Sequence, residues 1–194
     1  MLLSEILMEM PVKAPGTLGA KFTSYNLPYA DLDNFFVIET DINVSLLLDD
    51  DESPKTILFA MIDDDDMTVQ VLGRLFTSSG LFSKLTPPKT IIEHIITIDD
   101  RWKGRGIGVN VYKALLKEGF SILSDGVHFE DAFWFWKKLI RLAPKWGIKV
   151  YLIKGTDFLR DKTGSPKIIN TRTDERLIWD LSTDRILLTQ RTVH

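Results

Sequence analysis

The segment from Thr90 to Ile98 carries five isoleucines in nine residues and runs at once into Arg101-Trp102-Lys103-Gly104-Arg105-Gly106-Ile107-Gly108. A β-branched run this apolar predicts a strand covered on both faces. Three glycines in five residues then interrupt regular backbone and permit positive φ. Beyond them Val109 to Glu118 places Val111, Tyr112, Leu115 and Leu116 at helical spacing, with Gly119 as a stop. A buried strand that feeds a glycine loop opening directly into an amphipathic helix gathers free backbone N–H groups at one point. The positive end of the helix dipole stands behind them, and phosphate is the natural ligand. Arg101, Lys103 and Arg105 add charge at the same place.

Two phosphate-binding patterns are excluded by the spacing. The Walker sequence G-x-x-x-x-G-K-(S/T) is absent, and G-x-G-x-x-G fails because residues 109 and 111 are both valine. ATPase and NAD readings therefore lose their main support.

The rest of the chain reads as strands with two helices. Asn34 to Leu48 is extended and ends in the acidic turn Asp49 to Pro54; Thr56 to Ile62 and Met67 to Phe76 follow as strands, with Asp63 to Asp66 as the hairpin tip between them. These acid clusters lack the EF-hand pattern and read as solvated turns. Gly80 to Pro88 is a loop. After the glycine loop and its helix come a strand, Phe120 to Leu123, a helix, Phe129 to Leu142, with Pro144 just past its end, and a strand, Ile148 to Ile153. A Thr163 to Pro166 turn precedes two extended pieces, Arg176 to Leu181 and Arg185 to Gln190. There is no internal repeat and no low-complexity linker.

Composition narrows the chemistry further. The chain of 194 residues has no cysteine, so disulfides, thiol nucleophiles and Cys-ligated zinc all drop out. Its histidines, His94, His128 and His194, form no metal-binding pair. The formal charge of −3 argues against a general nucleic-acid coat. That total conceals an asymmetry: residues 1–100 carry 6 basic and 17 acidic side chains, whereas residues 101–154 carry 11 basic and 4 acidic. An anion is welcome in the middle block; a nucleic-acid contact through it is the weaker alternative. No apolar run reaches the roughly 18 to 20 residues of a membrane span, and Met1 to Met10 lacks a basic leader. The expectation is a cytoplasmic protein without a membrane partner.

Lys103-Gly104-Arg105-Gly106-Ile107-Gly108 resembles the pyrophosphate loop of the GNAT superfamily of acetyl-coenzyme A dependent N-acetyltransferases. That loop reads (Q/R)-x-x-G-x-(G/A), commonly R-G-x-G-I-G entering a helix; here Lys stands for the usual Arg or Gln. The second helix, Ala132-x-x-x-Trp136-Lys137-Lys138-Leu139, is similar to the family's A-x-x-x-Y-E-K-L. The resemblance covers residues 91–153. It implies an α+β fold: a mixed, mostly antiparallel central sheet, splayed between its two central strands and flanked by helices. It also implies one domain over 1–194, with N-terminal strands and the acceptor side in 1–90, the acetyl-CoA core in 91–153 and C-terminal strands in 154–194.

The same resemblance assigns roles. Thr97, Ile98 and Asp99 would offer backbone contacts to pantetheine, and Lys103, Gly104, Arg105, Gly106, Ile107 and Gly108 would hold the pyrophosphate of acetyl-CoA. Ser124 and Asp125 lie where such enzymes turn away from the cofactor arm, or simply form a polar turn. An amine attacks the thioester directly, so alignment supplies most of the rate. Glu93 is the expected base, its alternative being a carboxylate at the solvent end of the strand. His94, its neighbour on the opposite face, reads as a packed core imidazole. Trp136 stands where many relatives place a thiolate-protonating tyrosine, which indole cannot replace, so another group such as Tyr112, or water, would act as the acid, the alternative for Tyr112 being a helix residue packed on the sheet. The activity implied is N-acetylation of a primary amine on a small molecule, peptide or protein. The alternative is a catalytically silent module that binds a protein partner, and the aromatic cluster Phe133 to Trp136 is compatible with that partner or with a homodimer.

Overall fold

The computed structural model describes residues 21–79, 84–125, 130–169 and 185–193. Among these residues ten strands form one open sheet: β1 (Tyr25–Pro28), β2 (Phe36–Glu39), β3 (Ser45–Leu48), β4 (Thr56–Asp63), β5 (Thr68–Ser79), β6 (Thr90–Ile98), β7 (Ser121–Leu123), β8 (Lys149–Lys154), β9 (Asp157–Phe158) and β10 (Arg185–Thr189). Among the described residues two α-helices accompany them, α1 (Ile107–Lys117) and α2 (Glu130–Leu142). The fold is α+β, with a mixed and mostly antiparallel sheet. Its order is β2-β3-β4-β5-β6-β7-β10-β8-β9, and β1 adds to β5 beyond the end of β6. Among the described residues every strand pair is antiparallel except β6 with β7, which α1 connects as a crossover.

Local chemistry explains the connections. The Asp63 carboxylate accepts the amides of Asp65 and Asp66, each at 3.1 Å, which turns the chain between β4 and β5. Asp50 accepts those of Glu52 and Ser53 in the same manner. The acidic clusters thus serve as turn acceptors. Gly119 ends α1 at φ +84, and Gly147 takes φ +72 before β8. The Arg176 to Leu181 extended piece, His128 and His194 lie outside the described residues. A short strand, β1, and a six-residue 3-10 turn after it, Tyr29–Asn34, are additions to the sequence reading.

Both helices pack on one face of the sheet. Val111, Tyr112 and Leu115 of α1 and Trp136, Leu139 and Ile140 of α2 share a core with Leu46, Phe59, Ile91, Ile122, Val150 and Leu188. Burial of this many large apolar side chains is the main stabilising contribution. Asp41 ties α1 to the β2–β3 connection through Lys113 and Lys117, and those two ammonium groups hold its carboxyl down at about 2. On the opposite face Ile92, Leu123, Tyr151, Ile153 and Leu187 form a second cluster, and Leu27, Leu47, Leu58 and Val71 a third.

One irregularity governs the site. Thr77 lies opposite Glu93 and Phe76 opposite Ile95, so β6 carries one extra residue, His94, against β5. The bulge reverses the alternation: Ile91 and Glu93 face the helices before it, and Ile96 and Ile98 do so after it. Consequently only the first half of β6 is covered on both faces. Ile91, Ile92 and Glu93 are buried, whereas His94 and Ile95 are exposed.

Candidate functional site

The parallel pairing of β6 with β7 lasts three residues, Thr90 to Ile92 against Ser121 to Leu123. β7 then ends while β6 runs on for six residues, about 20 Å at ~3.3 Å per residue. Along that stretch the edge of β6 facing β7 has no strand partner among the described residues. The result is a wedge with Glu93 just beyond its vertex and the glycine loop beyond its open end.

The loop leads into α1 through Gly106, the residue preceding the helix, at φ +80. Gly104 takes φ +76, and a Cβ there would meet nothing within 4 Å. Both therefore need glycine for backbone conformation and leave the loop surface open. Gly108 differs: a Cβ would come to 3.1 Å from Phe135 and 3.5 Å from Ile96, so this glycine lets α1 pack closely on its neighbours. The first intrahelical bond runs from Asn110 N–H to the Gly106 carbonyl at 3.1 Å, so the amides of Ile107, Gly108 and Val109 have no acceptor within the helix. The sequence reading started α1 at Val109; the structure starts it two residues earlier.

The loop cations are already engaged. Lys103 pairs with Asp100 at 2.6 Å, and Arg105 stacks on Trp102 at 4.6 Å. Arg101 is bound to Asp99 through both its amide and its guanidinium. The Asp99 carboxylate also accepts the Ser24 amide at 2.8 Å, and the hydrogen bonds from Arg101 and Ser24 hold it well below the usual carboxylate range. Its own N–H goes to the Leu72 carbonyl at 2.9 Å. Asp99 thus ends β6 and pins the N-terminal segment; its amide is not open to a ligand. Thr97 and Ile98 pair with Arg74 and Gly73 of β5 on their inner side.

At the vertex, Glu93 turns into the helix-side core. It is 6% exposed, which rules out the alternative of a carboxylate at the solvent end of the strand. Burial pushes its pKa up to about 7, against the pull of the Tyr112 hydroxyl and the Trp136 indole. The indole N–H of Trp136 donates to Oε2 at 3.1 Å. Tyr112 is fully buried, edge-on to the rings of Phe135 and Trp136. Its hydroxyl acts on Glu93 electrostatically but closes no hydrogen bond of ordinary geometry, and burial raises its pKa well above 10. The two candidate catalytic residues are therefore brought together, with Trp136 as the third member.

His94 corrects the expectation of a core imidazole. The bulge leaves it on the sheet surface, its Nε2 2.8 Å from Ser78 Oγ and its Nδ1 3.7 Å from Asp125. Ser124 is fully buried; its amide donates to the Ile186 carbonyl and its hydroxyl accepts the Ile186 amide, extending the β7–β10 pairing. Ser78 escaped the sequence reading because nothing local marks it: its partner lies 16 residues away, across a strand pair whose register includes the bulge. No group of His, Asp and Glu among the described residues is arranged to hold a metal ion, and no described helix is long and apolar enough to cross a membrane.

A scan against protein-family models finds no match for this sequence. A search among curated proteins also finds none. Among solved structures, a chain from Bacteroides thetaiotaomicron assigned to the GNAT acetyltransferase family is similar at 16% identity and a TM-score of 0.29, over 64% of this chain and 68% of that one.

Proposed function

We propose that this protein is an acetyl-CoA dependent N-acetyltransferase that acts on a primary amine by direct attack within a ternary complex. The observation that carries the reading is the wedge: β6 leaves β7 after Ile92, and its free edge leads from Glu93 to an open glycine loop at the start of a helix. An extended pantetheine arm fits along such an edge, with its diphosphate at the amides of residues 103 to 108. The open space at Gly104 agrees with a ligand approaching the backbone there, and at Gly106 a Cβ would meet only Asn110 Nδ2, at 3.7 Å. Of the residues expected at the arm, Thr97 and Ile98 remain candidates. Asp99 serves by holding the loop in place.

At the vertex the chemistry requires one proton to leave the amine and one to reach the thiolate. The attacking nitrogen forms a bond to the thioester carbon, the C–S bond breaks, and the thioester supplies the acetyl group. Glu93, titrating near neutrality, is suited to accept the amine's proton, directly or through water. Tyr112 keeps its proton at neutral pH and is the candidate donor. The acidic first hundred residues suit a cationic acceptor.

The burial of both groups favours a second reading, a module that binds the cofactor or a protein partner without turnover. Calorimetric titration of acetyl-CoA followed by a thiol-release screen with amines separates the two. Binding with release supports the transferase; binding without release supports the silent module. Gly106→Asn, which tolerates the left-handed backbone, keeps the fold while placing a side chain in the loop, and is expected to weaken acetyl-CoA binding. Affinity equal to the parent's in a folded variant overturns the assigned loop.

A further inference from the structure

We propose that Ser78, His94 and Asp125 form a nucleophilic site that takes acyl groups from activated esters and thioesters onto Ser78. The three residues come from β5, from the bulge of β6 and from just past the end of β7. Ser78 Oγ lies 2.8 Å from His94 Nε2, and Asp125 Oδ2 lies 3.7 Å from Nδ1 of the same ring. Hydroxyl on one nitrogen and carboxylate on the other is the order that general-base activation requires. With the ring proton on Nδ1, facing Asp125, Nε2 is free to accept the serine proton. The second oxygen of Asp125 faces Arg185 at 3.6 Å, which fixes the carboxylate from its far side. The His94 and Asp125 side chains are 41% and 40% exposed, so a small acyl donor has access.

This site is separate from Glu93, Tyr112 and Trp136. Ser78 pairs with Ile92, whose side chain belongs to the cluster on the face away from both helices. The Glu93 carboxylate lies on the helix side. The proposal therefore stands whether or not acetyl-CoA binds. The bulge supplies the arrangement, since the extra residue takes His94 out of the ladder and lets its ring reach both neighbouring strands.

In the first step Ser78 Oγ bonds to the acyl carbon, the bond from that carbon to the leaving oxygen or sulfur breaks, and the serine proton moves to Nε2 and on to the leaving group. Water then adds to the acyl-serine, His94 takes a proton from it, and the carboxylic acid leaves as Oγ regains its proton. No oxidant or reductant is involved.

The test treats the full chain with p-nitrophenyl acetate and, separately, with a fluorophosphonate, and reads intact mass, peptide maps and nitrophenolate release. A single acetyl or phosphonyl group on Ser78 is expected, absent in Ser78→Ala. His94→Ala is expected to slow the modification at least about 100-fold with an unchanged far-ultraviolet spectrum, and Asp125→Asn to slow it less. Acetyl groups on lysines only, no phosphonylation, or a Ser78 rate indifferent to His94→Ala each overturn the proposal.

Discussion

Trp136 and Glu93, 43 positions apart, meet in the buried space between α2 and β6, where the indole N–H donates to Oε2 at 3.1 Å. A carboxyl with few polar neighbours resists ionisation, and this donor partly offsets that cost. Trp136 thus has a role of its own: it is the hydrogen-bond donor that supports the buried Glu93 carboxyl.

Glu93 makes stability depend on pH in a direction unusual for an acid. Its folded value, about 7, lies above the ordinary 4.5, so the folded state binds the extra proton between them. The associated stability is complete below about pH 4.5 and is lost as pH rises through 7; the total is about 3 kcal/mol for a shift of this size. Glu93→Gln should cancel that loss. Urea unfolding at pH 4.5, 6 and 8 should show the variant gaining on the parent as pH rises. A pH-independent difference would contradict a carboxyl held neutral by burial.

Trp136→Phe removes a donor and leaves a smaller ring, whose packing loss is the same at every pH. The ionised carboxylate loses support and the neutral form does not, so the Glu93 titration should move further up. Stability above pH 7 should fall by about 1–3 kcal/mol, with a smaller change at pH 5. Carboxyl chemical shifts from labelled glutamate would follow the first effect and chemical denaturation the second.

Gly73 and Gly104 separate two reasons for glycine. A Cβ at residue 73 would lie 2.5 Å from the Thr97 carbonyl oxygen and 3.0 Å from Ile98 Cα, both backbone atoms that cannot swing aside. Gly73→Ala should therefore cost about 3 kcal/mol or more by forcing β5 from β6. Gly104→Ala has open space and only the left-handed φ to bear, at about 1–2 kcal/mol. Thermal unfolding should rank the first variant well below the second.

Asp99 pins Ser24 to the entrance of the glycine loop. Asp99→Ala deletes the acceptor of the Ser24 and Arg101 amides. Both amides should then exchange with solvent markedly faster, as read by hydrogen–deuterium exchange, while the amides of β4 keep their protection.

Strands β4, β5 and β6 and both helices were legible because their patterns are long and their stops are chemical: an acidic turn, Gly119, Pro144. The glycine loop was legible for the same reason. Less so were the contacts that depend on register. Ile95 and Ile96 sit side by side in the sequence and read as two covered faces, yet the extra residue before them sends Ile95 to the surface and Ile96 toward the helices. The same shift carries His94 out of the core and against Ser78, a pairing that no local spacing announces. Glu93 was read as a base from its place on the strand. That it is enclosed follows from where α2 lands, which the pattern of α2 alone does not specify.

The interruption at residue 94 also sets a phase for everything downstream. Deleting that one residue would restore an unbroken ladder with β5 and leave Ile96 and Ile98 facing the helices, whereas pairing it into the ladder would turn both away and shift the 101–108 corner out of step with the sheet beneath it. A defect in hydrogen bonding thus acts as the gauge by which the end of this strand is aimed.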